Sequence, residues 1–177
     1  ILIMKRILIT YSTTDGQTKL ICEKIKSVLD DAFIVDLQSI QDIQENFEVL
    51  NKSFEHVIVG ASIRYGNYRK NLFDFLQQNR EVLDKKETAF FSVNVVARKE
   101  GKNNPKNNPY VLKFLTKTSW RPAHLAVFAG KIDYPRYKFV DRYAIKLIMR
   151  ITSGPTDTSK TYEFTDWQAV EAIAKKV

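Results

Sequence analysis

Short apolar runs alternate with helix-like patterns along most of this 177-residue chain. Runs rich in β-branched and aromatic residues predict strands at 6–11, 33–37, 57–61, 89–96 and 125–129. Between them, apolar residues recur three and four positions apart, as in 21–29 and 71–83, which predicts helices, and a last helix is expected at 166–175. Strands that alternate with helices are typical of βαβ units on a parallel sheet, so the chain is expected to be an α/β protein.

Five such strands predict a three-layer αβα sandwich with the doubly wound strand order 2-1-3-4-5. Residues 1–177 are expected to form one domain with an insertion at about 131–160, and the polar segment 98–108 is expected to be a mobile loop. Sheets of this kind bind ligands beyond the carboxyl ends of their strands. The loops after the first, third and fourth strands are therefore the candidate site.

The loop after the first strand has the composition of an anion site, Ser12-Thr13-Thr14-Asp15-Gly16-Gln17-Thr18. Free N–H groups at the start of the following helix carry partial positive charge, and hydroxyls with a glycine let the backbone surround a phosphate. The loop lacks both the Gly-Lys-Ser/Thr of a Walker site and the three spaced glycines of a dinucleotide fingerprint. A phosphate monoester such as that of FMN is the expected ligand, and a well-capped helix start is the alternative.

The other two loops at this edge suit a flat heterocycle. The third strand is followed by Ser62-Ile63-Arg64-Tyr65-Gly66, in which Tyr65 offers a ring that could pack on the ligand. The fourth strand leads into Ser92-Val93-Asn94-Val95-Val96-Ala97-Arg98, which offers backbone and amide groups for a pyrimidine-like edge. Tyr65 taken alone is more typical of a half-buried loop aromatic, but three suitable loops at one sheet edge favour a ligand site.

The positive charge of the chain is concentrated in one segment. Residues 98–150 contain 13 lysines and arginines against three acids, a local net charge of +10, so the rest of the chain carries −2 of the total +8. Such a segment suits an anionic partner. Nucleic acid is not expected, because no recognised nucleic-acid motif accompanies the charge.

Four basic residues recur every four positions inside the insertion, at Lys138, Arg142, Lys146 and Arg150. On a helix they form one stripe beside an apolar side made by Phe139, Val140, Tyr143, Ala144, Leu147, Ile148 and Ile151. This pattern indicates an interfacial helix on an anionic membrane surface, and the alternative is an ordinary helix with a solvated basic face. We expect the insertion to dock membrane and substrate and not to be needed for flavin binding.

The remaining composition narrows the class of protein. A single cysteine, Cys22, rules out a disulfide framework and is typical of an intracellular chain. Met4, followed by Lys5, is expected to be the natural start, and no stretch is long enough to span a bilayer. His56 and His124 lack metal-ligand spacing, so no metal site is expected.

Several short segments along the chain carry a family resemblance: the first loop, 59–66 (VGASIRYG), 92–99 (SVNVVARK), 120–122 (WRP), 134–137 (YPRY), 145–149 (IKLIM) and 156–158 (TDT). Together they resemble the menaquinone-dependent protoporphyrinogen oxidase family, which has a flavodoxin-like fold and binds FMN. The resemblance implies oxidation of protoporphyrinogen IX to protoporphyrin IX in haem biosynthesis, with electrons passed to menaquinone or ubiquinone. It also implies a cytoplasmic protein attached peripherally to the inner face of the cell membrane.

The family's flavin contacts carry over to the matching positions of this chain. The phosphate loop maps onto Thr13 through Gln17, flanked by Ser12 and Thr18, with Thr14 where some relatives carry a basic residue. The resemblance further implies cofactor contacts from Phe90, Ser92, Val93, Asn94, Val95, Val96, Ala97 and Arg98, and from Asp157 and Thr158.

The sequence indicates the substrate contacts less precisely than the cofactor contacts. Arg64, Arg98 and Arg136 are the candidates for contacts with the propionates, and no proton acceptor is identified. A flavodoxin electron carrier and a nicotinamide-dependent quinone reductase remain the alternatives. Flavodoxin carriers are usually acidic and lack the basic insertion, and a phosphoacceptor domain would need acids where Tyr11-Ser12 and Ala61-Ser62 stand. The sequence leaves a homo-oligomer open.

Overall fold

A computed structural model describes residues 3–45 and 54–177. Ile1 and Leu2, which bear on the expected start at Met4, lie outside these ranges. Five strands form one parallel sheet: β1 (Arg6–Ser12), β2 (Ile34–Ser39), β3 (His56–Ser62), β4 (Glu87–Val93) and β5 (His124–Phe128). Their order is β2-β1-β3-β4-β5. This confirms the predicted α/β class and the order 2-1-3-4-5.

Helices cover both faces of the sheet: α1 (Gln17–Leu29), α2 (Ile40–Glu45), α3 (Lys70–Gln78), α4 (Arg80–Leu83), α5 (Pro109–Lys117), α6 (Phe139–Ile151) and α7 (Trp167–Ala174). One face packs its side chains, including Ile7 and Ile9, against α1 and α7. The other face, including Leu8, packs against α3 and α5. Because successive strand residues point to opposite faces, a strand covered on both sides needs an unbroken apolar run, as β1 and β3 have.

Three local features differ from the sequence expectations. The helix predicted at 71–83 breaks at Asn79, whose buried side chain donates to the Phe75 carbonyl at 2.8 Å and ends α3. The fourth strand ends at Val93, its last residue paired with β5, and a 3-10 turn at Val95–Arg98 follows. Helix α5 was not predicted; Asn108 caps it by accepting from the Tyr110 and Val111 amides.

The insertion forms a small structure of its own beside the sheet. Two short antiparallel strands, β6 (Lys131–Asp133) and β7 (Thr161–Glu163), flank a 3-10 turn and helix α6. A buried cluster of Ile132, Tyr134 and Met149 joins them, and the Tyr134 hydroxyl donates to the Pro155 carbonyl at 2.6 Å. The predicted helix in this segment is thus present as α6, and the insertion has a packed interior.

Candidate functional site

A cavity of about 390 Å³ opens at the carboxyl edge of β1, β3 and β4. This volume lies at the lower end of the roughly 300–1,000 Å³ typical of small-molecule sites. Many of the predicted site residues line it: Thr13, Thr14, Asp15, Gln17, Thr18, Ser62, Ile63, Arg64, Tyr65, Gly66, Val93, Asn94, Val95, Val96 and Arg136. The three loops singled out from the sequence therefore meet at one cavity.

The other predicted residues do not line this cavity: Ser12, Gly16, Phe90, Ser92, Ala97, Arg98, Asp157, Thr158, Lys138, Arg142, Lys146 and Arg150. The Phe90 side chain is fully buried in the core and stacks on Phe114 at 3.8 Å between ring centroids. Asp157 lies in an exposed turn, where hydrogen bonds from the Ser159 side chain and backbone lower its pKa. These positions place the two side chains away from a ligand in the cavity.

The first loop is shaped as an anion cradle. Gly16 adopts a φ of 88° just before α1, a conformation that favours glycine, and its N–H donates to the Thr13 hydroxyl at 2.9 Å. The Thr18 hydroxyl and the Gln17 side-chain oxygen are buried at the cavity with no hydrogen-bond partner in the described part of the chain. A buried polar group without a partner costs about 1–3 kcal/mol, so a ligand that engages it is favoured. Hydroxyls and free helix N–H groups fit a phosphate.

One contact to this loop was missed from the sequence. The Gln17 amide nitrogen donates to Glu163 at 3.1 Å and to Thr165 at 3.0 Å. Glu163 belongs to β7, so the end of the insertion orients a side chain of the phosphate loop. No local signal could have revealed the pair, because the two residues are 146 positions apart.

The second loop is a tight turn. Arg64 and Asn67 exchange backbone hydrogen bonds of 3.0 and 3.1 Å around Tyr65 and Gly66, whose φ angles are 51° and 76°. Two successive positive φ angles are typical of a type I′ turn. Arg64 forms an ion pair with Asp15 of the first loop. The turn and the phosphate loop are thereby joined across the cavity rim.

The third loop offers mainly its backbone. The Asn94 side chain is only 3% exposed, and its amide exchanges hydrogen bonds of 3.2 and 3.0 Å with Asn108. Asn94 also donates to the Ser92 hydroxyl, which Tyr68 engages at 2.8 Å. The side chains expected to contact a pyrimidine-like edge are thus committed to each other. The predicted mobile loop 98–108 is anchored at its end by this buried asparagine pair.

Arg98 faces protein carbonyls and not the cavity. Its guanidinium donates to the Val95 carbonyl at 3.0 Å and to the Thr152 carbonyl at 3.1 Å, and burial lowers its pKa. The expectation that Arg98 meets a propionate does not fit this arrangement, because its donors already bridge the third loop and the C-terminal end of α6. A positive charge at that helix end is favourable.

The insertion forms one wall of the cavity. Its lining residues are Lys131, Ile132, Asp133, Arg136, Tyr137, Ile145, Ile148 and Met149. The expectation that the insertion is not needed for flavin binding stays a prediction, and the insertion residues that line the cavity are where it has to be tested. The sequence pattern of α6 missed this inward face because Ile145 and Met149 sit between basic residues.

The predicted basic stripe is also modified. Arg142 turns inward and donates to the Tyr134 and Tyr137 carbonyls at 3.2 and 3.3 Å. The outer face of α6 is apolar and solvent-exposed, with Phe139 at 72%, Val140 at 76% and Ile151 at 74% exposure. The basic residues beside this face are accordingly Lys138, Lys146 and Arg150.

The fold matches known proteins. Residues 8–159 match the family model described as Flavodoxin domain. A flavodoxin from the domain Archaea superposes with a TM-score of 0.51 at 15% identity, covering 97% of this chain and 94% of that chain. Flavodoxin 1 from Bacillus cereus gives a TM-score of 0.50 at 17% identity, covering 79% and 91%. Fold and family model together define a flavodoxin-domain protein.

Curated relatives give a finer assignment. Protoporphyrinogen IX dehydrogenase (quinone) of Escherichia coli K12 is 41% identical over 172 residues, which is 96% of this chain and 93% of that protein. The protein of the same name from Leishmania major is 42% identical over 167 residues, covering 94% of this chain and 72% of that protein. The chain belongs to the protoporphyrinogen IX dehydrogenase family, a family of oxidoreductases.

Proposed function

We propose that this chain uses FMN to oxidise protoporphyrinogen IX to protoporphyrin IX and passes the electrons to a respiratory quinone, in haem biosynthesis. The carrying observation is the cavity at the carboxyl edge of the sheet, which Thr18 of the first turn of α1 lines and where its buried hydroxyl has no partner among the described residues. The names of the relatives at 41–42% identity support the substrate and the acceptor.

The residues divide into two groups by role. The first loop, with Thr13, Thr18 and the α1 N–H groups, would hold the phosphate, and the backbone of Val93 to Val96 with the Tyr65 ring would hold the isoalloxazine. Bound flavin supplies the two-electron chemistry, which suits a site without an obvious acid–base set. The protein supplies binding and orientation, and it excludes water through Ile145, Ile148 and Met149.

The charges at the rim suit a dicarboxylate substrate. Lys131 and Arg136 both line the cavity, and the Arg136 side chain is 75% exposed. Both lie near Asp133, at 4.0 and 3.9 Å, so this acid would hold the two cations in place until a propionate approaches. Arg136 is the propionate candidate that remains accessible, whereas Arg64 is paired with Asp15.

The outer face of α6 suits a membrane surface. Exposed apolar side chains lie beside Lys138, Lys146 and Arg150, which is the composition of an interfacial helix. Within residues 3–45 and 54–177, no helix is long and apolar enough to cross a bilayer. We propose peripheral attachment to the inner face of the cell membrane through α6, which would also bring the cavity close to a lipid-soluble quinone.

Anaerobic mixing tests the function directly. Protein loaded with FMN is mixed with protoporphyrinogen IX, and the flavin absorbance is followed until menaquinone or ubiquinone is added. We expect bleaching by the porphyrinogen and recovery on addition of quinone, with FMN identified by mass spectrometry of the released cofactor. Bleaching by a nicotinamide cofactor but not by the porphyrinogen would instead indicate a quinone reductase, and no bleaching by either would indicate an electron carrier.

A further inference from the structure

Two adjacent residues of the turn after β3 contact the insertion through their side chains. The Tyr65 hydroxyl donates to the Asp141 carboxylate in the first turn of α6, and this hydrogen bond raises the pKa of Tyr65. The Arg64 guanidinium lies over the ring of Tyr137, 5.2 Å from its centroid, while it pairs with Asp15. The turn therefore clamps the insertion along the open side of the cavity.

The turn is rigid enough to hold another element. Its two central residues have positive φ angles, and for a tyrosine that conformation persists only where the surroundings enforce it. Backbone hydrogen bonds between Arg64 and Asn67 close the turn, and the Lys113 ammonium from α5 donates to the Gly66 carbonyl at 2.7 Å. Tyr65 is consequently a fixed point, and its bond to Asp141 constrains α6.

Helix α6 packs on the insertion through Met149 and Ile145, and arginine hydrogen bonds tie it at its two ends. Arg142 holds the segment that leads into it, through the carbonyls of Tyr134 and Tyr137. Arg98 holds the C-terminal end, through the Thr152 carbonyl at 3.1 Å. The Tyr65–Asp141 bond acts from the opposite rim of the cavity. It therefore links the loop after β3 directly to the helix that carries Ile145, Ile148 and Met149.

The volume of the cavity limits how many ligands it can hold. About 390 Å³ is the volume of a site for one ligand of drug size. With the flavin placed in this cavity, the tetrapyrrole would be received at its rim, between the turn and α6.

We propose that Tyr65 and Asp141 are positioning residues that fix α6 as the wall against which the tetrapyrrole substrate packs. This proposal rests on the proposed function for the identity of the substrate. The link between turn and helix does not depend on it. Loss of the hydrogen bond should weaken substrate binding and loosen α6 while flavin binding is kept.

The test is a double-mutant cycle with Tyr65→Phe and Asp141→Ala in the FMN-loaded protein. Each single variant should raise KM for protoporphyrinogen IX about five- to tenfold, the size expected for one hydrogen bond to a charged group near the surface. The double variant should be no worse than either single, because both remove the same bond. In the Asp141 variant, which leaves the Tyr65 side chain intact, we expect kcat and the FMN dissociation constant to stay within about twofold. Amide hydrogen exchange in α6 should become faster in all three variants.

Matched controls are Tyr162→Phe, whose hydroxyl has no hydrogen-bond partner within the described residues, and Asp74→Ala in α3, where the carboxylate pairs only with Lys70 of the same helix. Neither should change KM or exchange in α6. Additive effects in the double variant, or unchanged KM and exchange in the singles, would overturn the proposal. A weakened FMN affinity with an unchanged KM would also overturn it, since the hydroxyl would then act on the flavin.

The proposed function and the positioning role of Tyr65 and Asp141 can fail separately. If the wild-type protein does not turn over protoporphyrinogen IX, the proposed function fails. The exchange data then still decide whether Tyr65 and Asp141 hold α6. If turnover is normal and exchange in α6 is the same in wild type and variants, the positioning role fails while the proposed function stands.

Discussion

The loop after β1 and the insertion are both walls of one cavity, yet they are built in opposite ways. The loop is a contiguous stretch from Thr13 to Thr18 that turns on one glycine with a φ of 88° and one side-chain hydrogen bond. The insertion reaches the cavity only through contacts with distant segments, such as Tyr65 with Asp141 and Arg98 with Thr152. The conformation of a short loop is set largely by its own residues. The position of α6 depends on its contacts with residues that are distant in sequence.

This difference predicts that the two regions can be impaired separately. Changes in the loop should act on flavin binding and leave the insertion in place. Changes in the contacts of α6 should act on the membrane, the substrate or local opening, and only secondarily on the flavin.

The largest expected effect concerns the membrane face of the insertion. Replacing Lys138, Lys146 and Arg150 together with Gln should weaken binding to anionic vesicles by about 3 kcal/mol at low salt, at about 1 kcal/mol per basic residue. FMN binding should not change, because none of the three side chains lines the cavity. Vesicle sedimentation at low and high salt measures this binding. High salt should screen the attraction, so the difference between wild type and variant should disappear.

The matched control for this experiment removes the same charge elsewhere. Lys70, Lys85 and Lys175 are exposed residues outside the insertion, and their replacement with Gln gives the same net charge. An equal loss of vesicle binding in both triple variants would mean that the overall charge, and not the α6 face, attracts the membrane.

The next effect isolates the phosphate loop. Thr18→Val keeps the shape of the side chain and removes a buried hydroxyl without a partner. FMN binding should weaken by about 2 kcal/mol, the value of a hydrogen bond to a charged group. The free energy of unfolding of the FMN-free protein should not fall, because no intramolecular bond is lost. Fluorescence titration and urea unfolding measure the two quantities, and a fall in stability with unchanged FMN affinity would contradict the phosphate assignment.

A smaller effect is expected where Arg98 joins the third loop to α6. In Arg98→Lys a single ammonium replaces the planar fork that bridges the Val95 and Thr152 carbonyls. The free energy of local opening of α6 should fall by about 1 kcal/mol, measured by amide hydrogen exchange. Arg121→Lys is the control, since Arg121 also donates to several carbonyls but lies beyond α5. Equal changes in α6 in both variants would show a global effect.

The smallest expected effect is a pH dependence of stability that arises from His56. This residue lies at the amino edge of the sheet, so it serves as a reference outside the cavity. Burial lowers the pKa of His56 at the start of β3, with Lys5 adding to the shift. A lowered pKa means that the unfolded state binds the proton more readily. Stability is therefore highest above the unfolded pKa of about 6.5 and falls as the pH drops below it. Urea midpoints between about pH 8 and pH 5 should show this slope in the wild type and a shallower one in His56→Gln.

The sequence predictions were accurate where the underlying interactions are local and less accurate where they are long-range. The strand order was predicted correctly, because continuous apolar runs and turn residues are local signals. The ends of elements were less accurate. Asn79 breaks a helix through a bond to Phe75, and β4 stops where its pairing with β5 stops. Sheet pairing is a long-range property, so the apolar run alone could not place that end.

The side chains of the site show the same division. The Ser/Thr-rich loop could be recognised because its ligand-binding groups are consecutive. Arg98 was predicted as a ligand contact, but the structure turns it toward carbonyls of its own chain. Arg142 was predicted in the basic stripe, and it also turns inward. Arginine offers five donors in a fixed fork, and which acceptors it meets is decided by the elements packed around it.

The sequence by itself determined the doubly wound sheet, the Ser/Thr-rich loop at its carboxyl edge and the presence of an amphipathic helix in a basic insertion. These follow from periodicity and composition, which act within a few residues of each other. Only the tertiary structure decided that this helix turns Ile145, Ile148 and Met149 toward the cavity, that Glu163 orients Gln17, and that Tyr65 meets Asp141. Those pairs are separated by tens to more than a hundred residues, and packing of the chain is what brings them together.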